Sequence, residues 1–111
     1  MKYIKKFEFV RKKLKPHIND FVICDEKIIS NEMQNFLKYN IGQLVDFNSS
    51  SSDKYYFSPI YKYIVKFENV PEKLKEYFTP DNLRGFNEQE IIYFSSNKEE
   101  VEIFLKTKNQ K

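Results

Sequence analysis

Alanine and tryptophan are absent from this 111-residue chain, and glycine occurs only twice, at Gly42 and Gly85. Two isolated glycines exclude a glycine-rich loop that could cradle a phosphate. The single cysteine, Cys24, excludes an intramolecular disulfide framework and fits a reducing compartment. One cysteine with one histidine, His17, cannot supply a usual zinc ligand set. No run of about 20 apolar residues occurs, so no membrane-spanning helix is expected. The N-terminus is basic but lacks the uninterrupted apolar stretch of a signal peptide. The expected location is a cytoplasm, that of a bacterial or host cell.

Catalytic constellations are equally sparse. Cys24 and His17 stand seven residues apart, and a nucleophilic pair would also need a third, orienting group. Incidental roles suit both better. Among the 16 carboxylates nothing singles out a pair, and Glu88/Glu90 and Glu99/Glu100/Glu102 read as helix N-terminal or solvated charge. Ser49 to Ser52 have no partner base. A non-enzyme is expected, with no cofactor, no metal and no identifiable small-molecule substrate.

What the chain does have is aromatic surface. Phe (11) and Tyr (8) dominate its apolar content, enough for one core and one domain. Lys, Asn, Ile, Phe and Tyr make up about half of the residues. Their codons are AT-rich, which points to a low-GC bacterium, a phage or mobile element, or a large virus as the source. The formal charge of +3 is unevenly spread. Residues 1–15 are strongly basic and the rest of the chain is mildly acidic.

Periodicity supplies the elements. Phe21–Cys24 is a short β-branched and aromatic run, read as a strand. Ser30 is a helix cap, and Met33, Phe36 and Leu37 have helical spacing, giving a helix over 31–39. In 41–47 the alternation sets Ile41, Gln43, Val45 and Phe47 on one strand face and Leu44 and Asp46 on the other, and Gly42 suggests a bulge or a close backbone approach. The serine tract 49–52 reads as a mobile loop. Tyr61, Tyr63, Val65 and Phe67 then alternate with Lys62, Ile64, Lys66 and Glu68, the clearest period-two pattern in the chain. Pro71 can open a helical turn carrying Leu74, Tyr77 and Phe78. Residues 79–89 read as irregular and 91–94 as a strand. Ser96 with Glu99 spells a capping box for a helix over 97–107. Residues 1–15 fit a strand or a helix equally, with a slight lean to extended backbone.

These elements predict an α+β fold. Its centre is a small curled antiparallel sheet or a barrel of four to five strands, with a basic lead-in (1–15), a core (16–94) and a C-terminal helix (95–107). The order Phe21–Cys24, then Ile41–Phe47 with its glycine, then "YIVKFE" (Tyr63–Glu68), then "EIIYF" (Glu90–Phe94) resembles the strand order of SH3-like small barrels. The helix at 31–39 and the long segment 69–89 depart from that pattern. The layout is also similar to small accessory proteins of phages and environmental viruses. The resemblance implies a barrel core and an accessory role, and no chemistry.

Two binding modes fit. In the first, the protein is a non-enzymatic interaction module whose anchors are Tyr55, Tyr56 and Phe57 beyond the serine tract, with Tyr61 near them; its partner is a host protein. The acidic stretch 68–102 could oppose a basic surface. In the second, it binds nucleic acid through Lys5, Lys6, Arg11, Lys12 and Lys13, with stacking on the tyrosines.

Overall fold

A computed structural model describes residues 15–27, 29–48 and 60–108. Phe21–Cys24 forms strand β1. Helix α1 spans Asn31–Tyr39. Ser30 caps it by accepting the Met33 N–H at 3.2 Å, and Asn40 Nδ2 closes it by donating to the Phe36 carbonyl at 2.8 Å. Strands β2 (Gly42–Phe47) and β3 (Tyr63–Lys66) follow. A 3-10 helix over Glu72–Tyr77 leads to β4 (Leu83–Phe86). One more 3-10 turn, Glu88–Glu90, leads to β5 (Ile91–Ser95) and then to helix α2 (Lys98–Lys108).

All pairings are antiparallel and the sheet order is β4-β3-β2-β1-β5. Of the two expected forms, the open curled sheet is the one observed: β4 and β5 are opposite edges and do not pair. The curl has a geometric cause. Flat, five strands about 4.8 Å apart would put those edges about 19 Å from each other. Residues 87–90, with a 3-10 turn rising about 2 Å per residue, reach only about 12 Å. The sheet must therefore bend its edges toward each other.

Residues in register share a face, so the inner face follows from the pairing. It carries Val22, Leu44, Val65 and Phe86, all fully buried. Met33, Phe36 and Leu37 of α1 complete this core with Phe67, Val70 and Leu74. Phe67 sits at its centre, edge-on to Phe36, Phe78 and Phe86 at centroid distances of 5.6, 5.8 and 6.1 Å. Ile23 and Ile64 are buried on the outer face. There α2 lies against β1 and β5 through Val101 and a stacked Tyr93–Phe104 pair at 4.2 Å.

Several expectations need correction. Phe47 does not share a face with Ile41 and Gln43: in register with Tyr63 it falls on the side of Gly42 and Leu44, which are buried, and is itself 48% exposed. The pairing shifts between Leu44 and Asp46, so Val45 is an extra, bulged residue that breaks the alternation. Residues 83–86, inside the segment expected to be irregular, form an edge strand with only four residues to show a pattern. The cap of α2 is Asn97, which accepts the Glu99 N–H at 2.9 Å, not Ser96. Among the described residues the left-handed backbone positions are Asn19, Asn69 and Asn82, all asparagine, in a chain with ten asparagines and two glycines. The expected extended lead-in and the serine loop lie outside the described residues.

Gly42 marks a close approach. A Cβ there would overlap Val65 Cγ1 and stand 2.9 Å from Phe67 Cζ. Gly42→Ala is therefore expected to cost about 1–3 kcal/mol through overpacking. Chemical denaturation will read this as a lowered midpoint, and an unchanged midpoint would contradict the packing.

Candidate functional site

Three segments meet at the mouth of the curled sheet. Residues 25–27 leave β1, residues 87–90 join β4 to β5, and Tyr61 comes from the neck of the β2–β3 hairpin. They line a cleft of about 550 Å³ whose walls include Asp25, Glu26, Lys27, Tyr61, Asn87, Gln89 and Glu90.

Each wall is fixed by hydrogen bonds. Gln34 Nε2 of α1 donates to the carbonyls of Lys27 at 3.0 Å and Ile29 at 3.2 Å, holding the 25–29 segment to the helix. The Asp25 N–H donates to the Glu90 carbonyl at 2.9 Å, tying the two acidic walls together. Asn87 and Glu90 form a reciprocal capping box, with Asn87 Oδ1 accepting the Glu90 N–H at 3.0 Å and Glu90 Oε1 accepting the Asn87 N–H at 2.9 Å. At the hairpin neck the Asn48 N–H donates to the Lys62 carbonyl at 2.8 Å and Asn48 Nδ2 to the Tyr61 carbonyl at 3.1 Å.

A buried ion pair underlies the cleft. Arg84 grips Glu26 in a two-pronged contact, Nε to Oε1 at 2.8 Å and Nη2 to Oε2 at 2.9 Å. Its Nη1 donates to the Tyr77 carbonyl at 2.8 Å. Both carboxylate oxygens of Glu26 are thereby engaged. The remaining acidic groups at the mouth are Asp25, which Lys27 approaches at 3.8 Å, and Glu90. Burial lifts the Glu90 carboxyl above the usual carboxylate range; Glu26 and Asp25 add to the rise, while the Asn87 N–H and Arg84 oppose it.

Cys24 lies beneath, sealed in the core, its thiol pushed well up by burial and then by Glu26 and Glu90. His17 is on the surface, its Nδ1 3.8 Å from Asp20. A thiolate nucleophile is disfavoured in that setting. Among the described residues no group of three metal-ligating side chains comes together, and no helix is long and apolar enough to cross a membrane.

Of the residues expected to bind a partner, Tyr61 is half-buried on the rim of this cleft. Tyr55, Tyr56, Phe57 and the cations Lys5, Lys6, Arg11, Lys12 and Lys13 lie outside the described residues. Two apolar side chains stand exposed where the described hairpin ends, Phe47 and Ile60, the latter at 61%. The periodicity reading missed Glu26, Arg84 and Glu90 as site residues. A signal existed for Glu90: Asn87-x-x-Glu90 has capping-box spacing, the same motif sought further along at Ser96. Compared with protein-family models, curated proteins and solved structures, the chain matches none.

Two outcomes test this geometry. Arg84→Met leaves Glu26 buried without its partner and is expected to cost about 3–5 kcal/mol, most of it recovered in the double variant Glu26→Gln/Arg84→Met; urea midpoints of the three proteins read this directly. For Glu90, a raised carboxyl means that the folded state keeps its proton to higher pH than the unfolded chain. Its stabilising contribution is therefore present in acid and lost as pH rises through the folded value. Glu90→Gln keeps the acceptor for Asn87 and removes the charge. Its stability advantage over the wild type is expected near neutrality and to shrink as pH falls to about 4, followed by thermal melts across pH.

Proposed function

We propose that the protein is a non-enzymatic interaction module that grips the basic surface of another protein with the acidic cleft and the neighbouring hairpin neck. The observation that carries this reading is the position of Tyr61. It joins a cleft bearing Asp25 and Glu90 to a rim with two exposed apolar side chains, Phe47 and Ile60. An amphipathic anchor beside carboxylates and exposed apolar surface suits a lysine or arginine side chain with its apolar stem. The AT-rich composition supports an accessory protein of a phage or mobile element, acting in a host cytoplasm on a host protein. Kinship with SH3-like small barrels belongs to the same reading; support for it comes from the last strand returning to lie beside the first.

Nucleic-acid binding is the second reading. A groove of about 340 Å³ between α2 and the sheet brings Lys66 and Lys98 near Phe21 and Tyr39, a mix suited to stacked bases and phosphates. Glu68 and Glu102 line the same groove and offset those cations, so the cleft is the favoured site.

Affinity capture from a low-GC bacterial lysate, identified by mass spectrometry, separates the two. The expected result is enrichment of a basic protein, lost with Tyr61→Ala while the melting temperature holds. Background proteins alone would defeat the module reading. Capture abolished by nuclease, with affinity falling steeply as salt rises, would favour the second.

A further inference from the structure

The described chain begins against the tether between β4 and β5. Lys15 Nζ lies 3.3 Å from Glu88 Oε2, and the buried Pro16 borders a hollow of about 160 Å³ with Tyr63, Ile91 and Phe94. The same tether supplies Asn87, Gln89 and Glu90 to the acidic cleft. Glu88 thus meets the start of the described chain while the residues flanking it line the cleft.

The cleft is short of cations. Among the described residues that line it only Lys27 is positive, against Asp25, Glu26 and Glu90. The Lys27 side chain is 88% exposed and stands 3.8 Å from Asp25, a pair too open to solvent to be strong. Arg84, beneath, is committed to Glu26 and the Tyr77 carbonyl. Burial first, and then Glu26 and Asp25, hold the Glu90 carboxyl above its ordinary range, against the Asn87 N–H and Arg84. A cation brought to this wall offsets that cost.

Residues 1–14 precede Lys15 and carry six cations, Lys2, Lys5, Lys6, Arg11, Lys12 and Lys13, against Glu8. Arg11–Lys13 are two to four residues from Lys15, about 7–13 Å of extended chain. The tether rises only about 2 Å per residue from Glu88 to Glu90, so the cleft lies within that reach. Phe7 and Phe9 separate the cations at 5–6 from those at 11–13, and the hairpin neck beside the cleft exposes Phe47 and Ile60. Charge and apolar surface correspond on both sides.

The next step rests on the cleft being the partner site: we propose that its occupant in the free protein is the chain's own segment 1–14, which competes in cis with any basic partner. As part of the same chain the segment meets the cleft at an effective concentration of about 1 mM. A cleft open in about one molecule in ten binds an outside partner about tenfold more weakly than an open one. Partners less basic or less closely fitted than "KKFEFVRKK" (Lys5–Lys13) are thereby disfavoured.

Fluorescence anisotropy of a labelled KKFEFVRKK peptide titrated with the full chain tests this. Lys12→Gln/Lys13→Gln is expected to bind the peptide at least about fivefold more tightly than the wild type. Lys106→Gln/Lys108→Gln, with the same loss of charge at the end of α2, is expected to show no such gain; an equal gain there would reduce the effect to net charge and overturn the proposal. Carbodiimide coupling mapped by mass spectrometry is expected to join Lys12 or Lys13 to Asp25 or Glu90 in the wild type, with a yield independent of protein concentration. A yield that rises with concentration assigns the segment to a second copy and overturns the occupant in cis. Peptide binding equal in wild type and Lys12→Gln/Lys13→Gln, without coupling, defeats this proposal and leaves the cleft standing as a partner site. Coupling with no peptide binding to either protein defeats the cleft as a partner site and leaves the contact in cis standing.

Discussion

The short tether between β4 and β5 governs this molecule. Residues 87–90 must carry the chain from one edge of a five-stranded sheet to the other, and the sheet can comply only by curling. The Arg84–Glu26 pair is the direct sign of that curl. In sheet order β4 and β1 are separated by two strands, yet the guanidinium of one meets a carboxylate just beyond the other at 2.8 Å. The inner face is then deep enough to hold Phe67 and Phe86 without exposure, beneath a lid formed by α1. The cleft follows from the same constraint, because curling draws the exit of β1 against the tether itself.

Much of the architecture could be read from side-chain rhythm. The 61–68 alternation put Tyr63, Val65 and Phe67 inside, and all three are buried. The α1 stripe and its Ser30 cap were equally legible, because a cap and an i, i+3, i+4 pattern are local properties. Failures came where the answer is not local. Val45 reverses the phase of β2, and only the partner strand reveals the bulge. Leu83–Phe86 is a strand because β3 offers it a ladder and Arg84 has a distant carboxylate to meet, 58 residues earlier in the chain. An Arg-Gly pair between turn residues carries no sign of that.

The candidate site was legible only at Tyr61. Its other walls depend on the tether and on the buried ion pair, both long-range. The thiol shows the same dependence. The sequence offered it no orienting partner, and its burial, which pushes the thiol pKa well up, is a long-range outcome no local pattern announces. Charge is therefore arranged in two tiers: the Glu26 carboxylate is engaged by Arg84 across the curl, and Asp25 and Glu90 line the mouth above it.

The left-handed turns at Asn19, Asn69 and Asn82 have a wider implication. Glycine adopts that backbone without steric penalty, whereas asparagine tolerates it at some expense. A chain with two glycines thus settles strain at its corners, while keeping its unfolded ensemble less entropic than glycine would make it.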